Sequence, residues 1–436
     1  MNLSRSQIII IFSVVFVVLF FVGIFTGILP GSRIFTQKPP EVSLLIWGTD
    51  DREFFQDAIT EYQLLRTNVA VKYEQLTPDN YEQKVLNALA ANAGPDIMMF
   101  HNTWLLKHFD KIVPVSETQL NRKSLQEFFP TVIEQDFAST DKIYALPLYI
   151  DTLALLYNQD TFDKKGIAIP PKDWLDFQNL IPKLIEKNSD GTIAKAAAAI
   201  GGSDSTIASG PDLLMLLMLQ AGAKMTNEDF SVASFAQGVD QSRPGADALI
   251  FYTKFSDPRD IYYTWNESLD YSLDSFSNGD TAMIFGYADT RNLIKEKNPF
   301  INFKVAEMPQ PAGSDKAVNY PDYWGLAVTN NSQNADWAWD FILYATANDA
   351  VAEKYLVASN RPPALRTLIK KYTDHPTLGV FAKQALSARS WMQLNGKLNA
   401  GIFSEMIKSV LGNQLSITDA LYQAEREVTE SMQSGR

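Results

Sequence analysis

Residues Tyr144 to Phe162 read YALPLYIDTLALLYNQDTF. The run YALPL reads as a strand that ends in a turn at Pro147. Asp151-Thr152 is a polar break, and a second apolar strand follows and stops at Asn158. Strands are short apolar runs bounded by turn residues, so one carboxylate here separates two of them. A chain has this pattern where it leaves one lobe, passes a cleft and enters another.

The surrounding sequence fits such a plan. The 436 residues are too many for one ordinary core and enough for two lobes. At 46% hydrophobic the chain is globular. A net charge of −12 repels phosphate backbones and argues against nucleic acid as a partner. The absence of cysteine removes disulfides, thiol nucleophiles, iron–sulfur clusters and Cys-zinc sites.

Ile8 to Leu29 is an uncharged apolar run preceded by Arg5. At about 1.5 Å per residue it spans a hydrocarbon core of roughly 30 Å. It is long for a signal-peptide core and no A-x-A pattern follows it. The expectation is one transmembrane anchor at 8–29, a cytoplasmic end at 1–7, a Pro-containing tether at 30–41 and an extracytoplasmic body beyond.

The body opens in β-α-β-α-β order. Val42 to Trp47 is a strand, and Phe54, Phe55, Ala58, Ile59, Tyr62 and Leu65 form a helical stripe. Val69 to Tyr73 alternates as a strand, and Tyr81, Val85, Leu86 and Leu89 mark a helix that Gly94-Pro95 stops. Asp96 to Phe100 is the third strand. That order predicts a parallel sheet covered by helices. Further helices are expected at Trp174–Lys187, Asp212–Ala221, Ala335–Ala347 and Ile417–Gln433, and strands at Thr281–Phe285, Phe303–Met308 and Trp324–Thr329.

Ligands of open parallel sheets bind beyond the carboxyl ends of the strands. Two such ends are Trp47-Gly48-Thr49-Asp50-Asp51 and His101-Asn102-Thr103-Trp104. Indoles beside carboxylate and amide groups suit a sugar, which offers C–H faces and hydroxyls. Asp50 or Asp51 capping the next helix is the plain alternative. Enzyme motifs do not hold up. Ser139-Thr140-Asp141-Lys142 matches S-x-x-K but lies in a turn, where Lys is not placed beside Ser. His101, His108 and His375 lack metal-ligand spacing, and Asn188-Ser189-Asp190-Gly191 lacks the Glu that a calcium loop needs. No cofactor or metal is implied. Paired carboxylates of a glycoside hydrolase are set by spatial, not sequential, spacing and stay open.

Six segments, in order, resemble the family 1 extracellular solute-binding proteins that serve ABC importers. They are NYEQKVLNALAANAGPDIMMF from Asn80, KIYALPLYIDTLALLYNQDTFDKKGI from Lys142, PPKDWLDFQNLIPKL from Pro170, FSNGDTAMIFGY from Phe276, YWGLAVTNNSQNADWAWDFILYAT from Tyr323 and SITDALYQAEREVTE from Ser416. The resemblance covers residues 42–436. It implies an α/β, two-lobe periplasmic-binding-protein-like (type II) fold with three crossings, near Asp151, Tyr320–Gly325 and Asn360–Pro363. Lobe 1 would hold 42–150 and 320–362, and lobe 2 would hold 151–319 and 363–436. The implied function is capture of a sugar or oligosaccharide by lobe closure and delivery to ABC permease subunits, by a monomeric body without catalysis. Asp151 aligns with an acidic position that touches sugar in maltose-binding relatives. Tyr149, Tyr323, Trp324, Arg361, Trp265, Tyr287 and Asp289 join Trp47, Asp50, Asp51, Asn102 and Trp104 as ligand candidates. Two departures stand out: Ala288 occupies a position where the family often has an aromatic residue, and the lipidated cysteine of Gram-positive relatives is absent. A cell-surface hydrolase or lyase, a polyamine, peptide or metal-chelate ligand, and a sensor or adhesin role are the alternatives.

Overall fold

Alternating apolar positions and helical stripes build two separate cores, seen in a computed structural model that describes residues 41–238 and 242–434. The expected cytoplasmic end, anchor at 8–29 and tether to residue 40 lie outside these residues. Among the described residues no helix is long and apolar enough to cross a membrane.

The chain runs β1 (Val42–Gly48), α1 (Arg52–Leu65), β2 (Val69–Gln75), α2 (Tyr81–Ala90), β3 (Ile97–His101) and β4 (Ile112–Val113). After β5 (Leu146–Pro147) come β6 (Asp151–Thr152), β7 (Ala154–Asn158), α3 (Trp174–Leu184), α4 (Gly210–Gln220) and α5 (Pro244–Thr253). Then follow β8 (Met283–Gly286), α6 (Thr290–Lys297), β9 (Phe303–Ala306), β10 (Pro321–Asp322) and β11 (Trp324–Thr329). Helices α7 (Ala335–Ala347), α8 (Asp349–Ser359), α9 (Arg366–Tyr372), α10 (Gly379–Ala385), α11 (Gly396–Leu411) and α12 (Ile417–Ser434) complete the body.

The first sheet has the order β2-β1-β3-β11-β4, with β5 also on β11. The three opening strands are parallel, as their β-α-β-α-β order requires, and β11 inserts antiparallel beside β3. The second sheet, β8-β7-β9, is antiparallel throughout. The first core takes residues from 42–150 and 323–369 plus Ala385, Ala388 and Met392. The second is dominated by α3, α4, α5, α11 and α12.

Two pieces of chain join them side by side. The opening stretch ends β5 at Pro147 and β7 at Asn158, and Asn158 caps the next turn by accepting from the Thr161 N–H at 2.9 Å. Its polar break is itself a short strand: β6 pairs with β10, Asp151 facing Asp322. The expected third crossing at Asn360–Pro363 falls too early. Ala364, Leu365, Leu368 and Ile369 still pack in the first core, and Tyr372 is the first of this stretch to join Ala154, Ala288 and Phe381. The prolines mark a bend, whereas the apolar face of α9 decides where the chain leaves.

Candidate ligand-binding cleft

Parallel pairing of β1 with β3 puts their carboxyl ends on one edge of the sheet. Antiparallel β11 begins at that same edge, Trp324 opposite His101. The result is an aromatic group. The His101 and Trp324 rings lie 4.9 Å apart and the Trp104 and Trp324 rings 5.1 Å apart, while Trp104 stacks on Tyr81 at 6.0 Å. Both indoles are half-buried, so each keeps an open surface.

Asp322, on the hinge strand β10, stands beside this group. Its Oδ1 lies 2.7 Å from His101 Nε2, and His101 Nδ1 lies 2.8 Å from Thr103 Oγ1. A carboxylate only accepts, so Nε2 carries the hydrogen of the bond to Asp322. Burial would raise Asp322, but the His101 hydrogen bond, with the charges of His101 and Arg361, outweighs it and holds the carboxyl below its ordinary range. Asp322 lies deep in the molecule, yet its side chain is 48% exposed. Depth with exposure describes the floor of a solvent-filled cleft.

Arg361 forms the neighbouring wall. Its Nη1 donates to Asp50 Oδ2 at 2.9 Å, its guanidinium sits 4.3 Å from the centre of the Tyr149 ring, and the Tyr355 hydroxyl donates to the same Asp50 oxygen at 2.5 Å. From the second lobe, α4 presents Asp212 in its first turn, and Tyr287, which follows β8, donates its hydroxyl to Asp212 Oδ2 at 2.9 Å. Burial, then the nearby charge of Asp322, pushes Asp212 up to about 7. Asp322, Asp212 and Tyr287 thus interact across the two lobes.

Asp151 has a different position. It is buried, with Oδ1 accepting from its neighbour Thr152 N–H at 2.8 Å and Oδ2 from Ala288 N–H at 2.9 Å. Burial pushes it up to about 8. It fastens the loop after β8 to the hinge, so the expectation that it presents its oxygens to a sugar is corrected. Tyr323 is also withdrawn from the cleft: it is fully buried and donates to Asp136 Oδ2 at 2.7 Å. Trp265 fills the core with Phe276 and Ile284, and its indole N–H meets Thr206 Oγ1 at 3.2 Å. Asn102 is buried against Asp136 at 3.3 Å.

Other candidates lie at the rim. The Trp47 indole N–H donates to Glu74 at 3.0 Å. Asp51 is exposed and accepts from Gln75 at 2.9 Å, and Asp289 is exposed and accepts from Asn292 at 3.0 Å. Trp104, Trp324, Arg361 and Tyr287 lie near Asp322 and Asp212, whereas Asp50 and Tyr149 are buried against Arg361. Sequence reading missed Asp212 and Asp322, and placed His101 at a strand end facing the cleft without giving it a role there. Asp322 had one signal: it directly precedes Tyr323 in the return hinge. Two surface grooves of about 590 Å³ lie elsewhere, one lined by Ile250 and Ile417 and one by Pro170 and Gln384, and neither contains a tryptophan.

The lobes touch at two further places. Leu106 packs on both main cores. Asn360 Nδ2 meets Asn292 Oδ1 at 3.4 Å, and Arg291 Nη2 donates to the Asn360 carbonyl at 3.5 Å.

A two-lobe body with its polar and aromatic groups gathered at a two-strand hinge matches known proteins. The sequence profile of the bacterial extracellular solute-binding proteins matches residues 47–352. The chain belongs to this family. A maltotriose-binding protein of Pyrococcus abyssi is 23% identical over 420 residues, covering 89% of this chain and 82% of the relative. The crystal structure of a cyclic α-maltosyl-1,6-maltose binding protein from Arthrobacter globiformis superposes with a TM-score of 0.74 at 18% identity, covering 91% of this chain and 100% of that one. A solute-binding protein from Thermotoga lettingae, bound to α-D-tagatose, superposes with a TM-score of 0.68 at 21% identity, covering 89% and 99%. At these identities the superpositions establish the fold. The solute-binding family is one of binding proteins rather than enzymes, and its members act outside the cytoplasm.

Proposed function

We propose that this solute-binding protein captures a sugar or oligosaccharide between its lobes and hands it to the permease subunits of an ABC importer. The single observation that supports the sugar is Asp322: deep, half-exposed, held by His101 and flanked by the open indoles of Trp104 and Trp324. Indoles cover the C–H faces of a pyranose, and carboxylates accept its hydroxyls in charge-assisted hydrogen bonds. Ligand would contact Asp322 and Trp104 from one side and Asp212 and Tyr287 from the other, so binding favours closure. The body comprises a first lobe of residues 42–150 and 320 to about 370, a second lobe of the rest, and a single-pass anchor at 8–29.

One observation favours a second reading. Asp212 and Asp322 interact in the cleft, while the nearby Arg361 is already paired with Asp50. That balance suits a cationic solute such as a polyamine. Calorimetry of residues 41–436 with maltotriose and with spermidine separates the two. Binding of maltotriose alone upholds the sugar reading. Binding of spermidine alone replaces it.

A further inference from the structure

Closure needs the lobes to meet, and one meeting point has no side chain on one partner. Gly396 opens α11 in the second lobe and faces Thr103, which follows β3 in the first. A Cβ at Gly396 would sit 2.9 Å from Thr103 Oγ1, 3.2 Å from Cγ2 and 3.3 Å from Cβ. Rotating Thr103 moves its oxygen and methyl but leaves its Cβ in place, so one methyl makes the two backbones give by a few tenths of an ångström. Gly396 is not in the left-handed region of the backbone, so the local conformation itself does not call for glycine.

The same threonine is tied to the cleft floor. Its hydroxyl binds His101 Nδ1 at 2.8 Å, and His101 Nε2 binds Asp322 at 2.7 Å. The path Asp322–His101–Thr103–Gly396 therefore runs without a gap from the ligand position to the seam between lobes. Leu106, in the same helical turn as Thr103's successors, extends the seam by packing on both cores. The other contact between the lobes is looser: its Asn360 hydrogen bonds are 3.4 and 3.5 Å long.

We propose that Gly396 is the residue that permits full lobe closure, and that Thr103, positioned through His101 by Asp322, makes the seam sensitive to what occupies the cleft. The proposal rests on the reading that the cleft closes around a solute. Both residues are positioning residues and neither needs to touch the ligand.

The test is Gly396→Ala in residues 41–436, with Gly401→Ala as the control. Gly401 lies in the same helix and nothing is within 4 Å of its added methyl. Alanine favours a helix interior over glycine, so Gly401→Ala should not lower the melting temperature of the unliganded protein, and Gly396→Ala should remain folded with a cooperative transition. Gly396→Ala should weaken maltotriose binding by about fivefold or more, since closure is part of binding. Gly401→Ala should leave it unchanged. The chain has no cysteine, so spin labels on cysteines introduced at the exposed Glu53 and Glu296 report lobe separation alone. Gly396→Ala should lengthen that distance, and adding Thr103→Gly, which removes the Cβ as well, should shorten it again. Equal affinities for the two glycine variants, or a double variant no closer than Gly396→Ala, overturns the proposal. If the parent protein does not bind maltotriose, the sugar reading fails. The label distance in unliganded protein then still decides: no change on Gly396→Ala overturns the seam.

Discussion

Asp151 and Asp322 face each other across the two-residue hinge ladder, and their surroundings could hardly differ more. Asp151 is buried, accepts two backbone N–H groups and is pushed up to about 8. Asp322 keeps nearly half its side chain in solvent, pairs with an imidazole and is held below its ordinary range. A strand turns successive side chains to opposite faces and a ladder sets partners side by side, so identity alone does not decide the role. The groups that arrive from elsewhere decide it. The loop after β8 seals one carboxylate, and the end of β3 presents the other. One fastens the hinge and the other is open to solvent at the cleft.

Experiments can break this division. The largest effect is expected from Asp151→Ala, which leaves the Thr152 and Ala288 N–H groups without partners. At about 1–3 kcal/mol for each unsatisfied group, urea unfolding should show a stability loss of about 2–6 kcal/mol. A variant of full stability that merely fails to bind would return Asp151 to the ligand site. Next, Asp322→Ala should reduce maltotriose affinity about tenfold or more in calorimetry while thermal stability changes little. A stability loss as large as that of Asp151→Ala would make the two carboxylates alike after all.

A smaller effect concerns pH. Asp151 at about 8, Asp212 at about 7 and Asp136 at about 6 all lie above their ordinary 3.8, burial being the first cause of each. Between pH 4 and 8 the folded protein therefore holds protons that the unfolded chain releases. Stability must fall as pH rises through that window and return on acidification. Glu82, held at about 2 mainly by its hydrogen bond from His108, acts the other way but below this window: its contribution is full above about 4.5 and is lost as pH falls toward 2. The melting temperature of the unliganded protein should be at least about 3 °C higher at pH 5 than at pH 8. A lower value at pH 5 contradicts the burial of these groups. The smallest effect is Asp51→Ala: an exposed carboxylate with one contact to Gln75 should change stability and affinity by no more than about 0.5 kcal/mol.

The parallel half of the first sheet was legible because its strands and helices carry their own periodicity. The partner of β3 was not, since His101 and Asp322 are 221 residues apart. Asp151 drew attention as the one charge between apolar runs. What buries it is Ala288, 137 residues later, and no local pattern reports that. Trp265 stands among polar neighbours in YYTWNESLD, yet its ring completes the core beside Phe276. Asp212 looked like a helix start, and only the placement of α4 against Tyr287 shows that it faces the cleft. Periodicity reveals which face is apolar; it is silent on which polar groups meet.

The antiparallel insertion of β11 has a further consequence for how this protein comes into being. As the chain emerges from the ribosome, β1, β2 and β3 are available early, but the strand that covers the free edge of β3 is made only after the whole of the second sheet. Until then the first three strands present an unpaired apolar margin, and pairing it must close a loop of more than two hundred residues. The nascent body is therefore slow to complete, and it remains pliable for as long as its last central strand is still being synthesised.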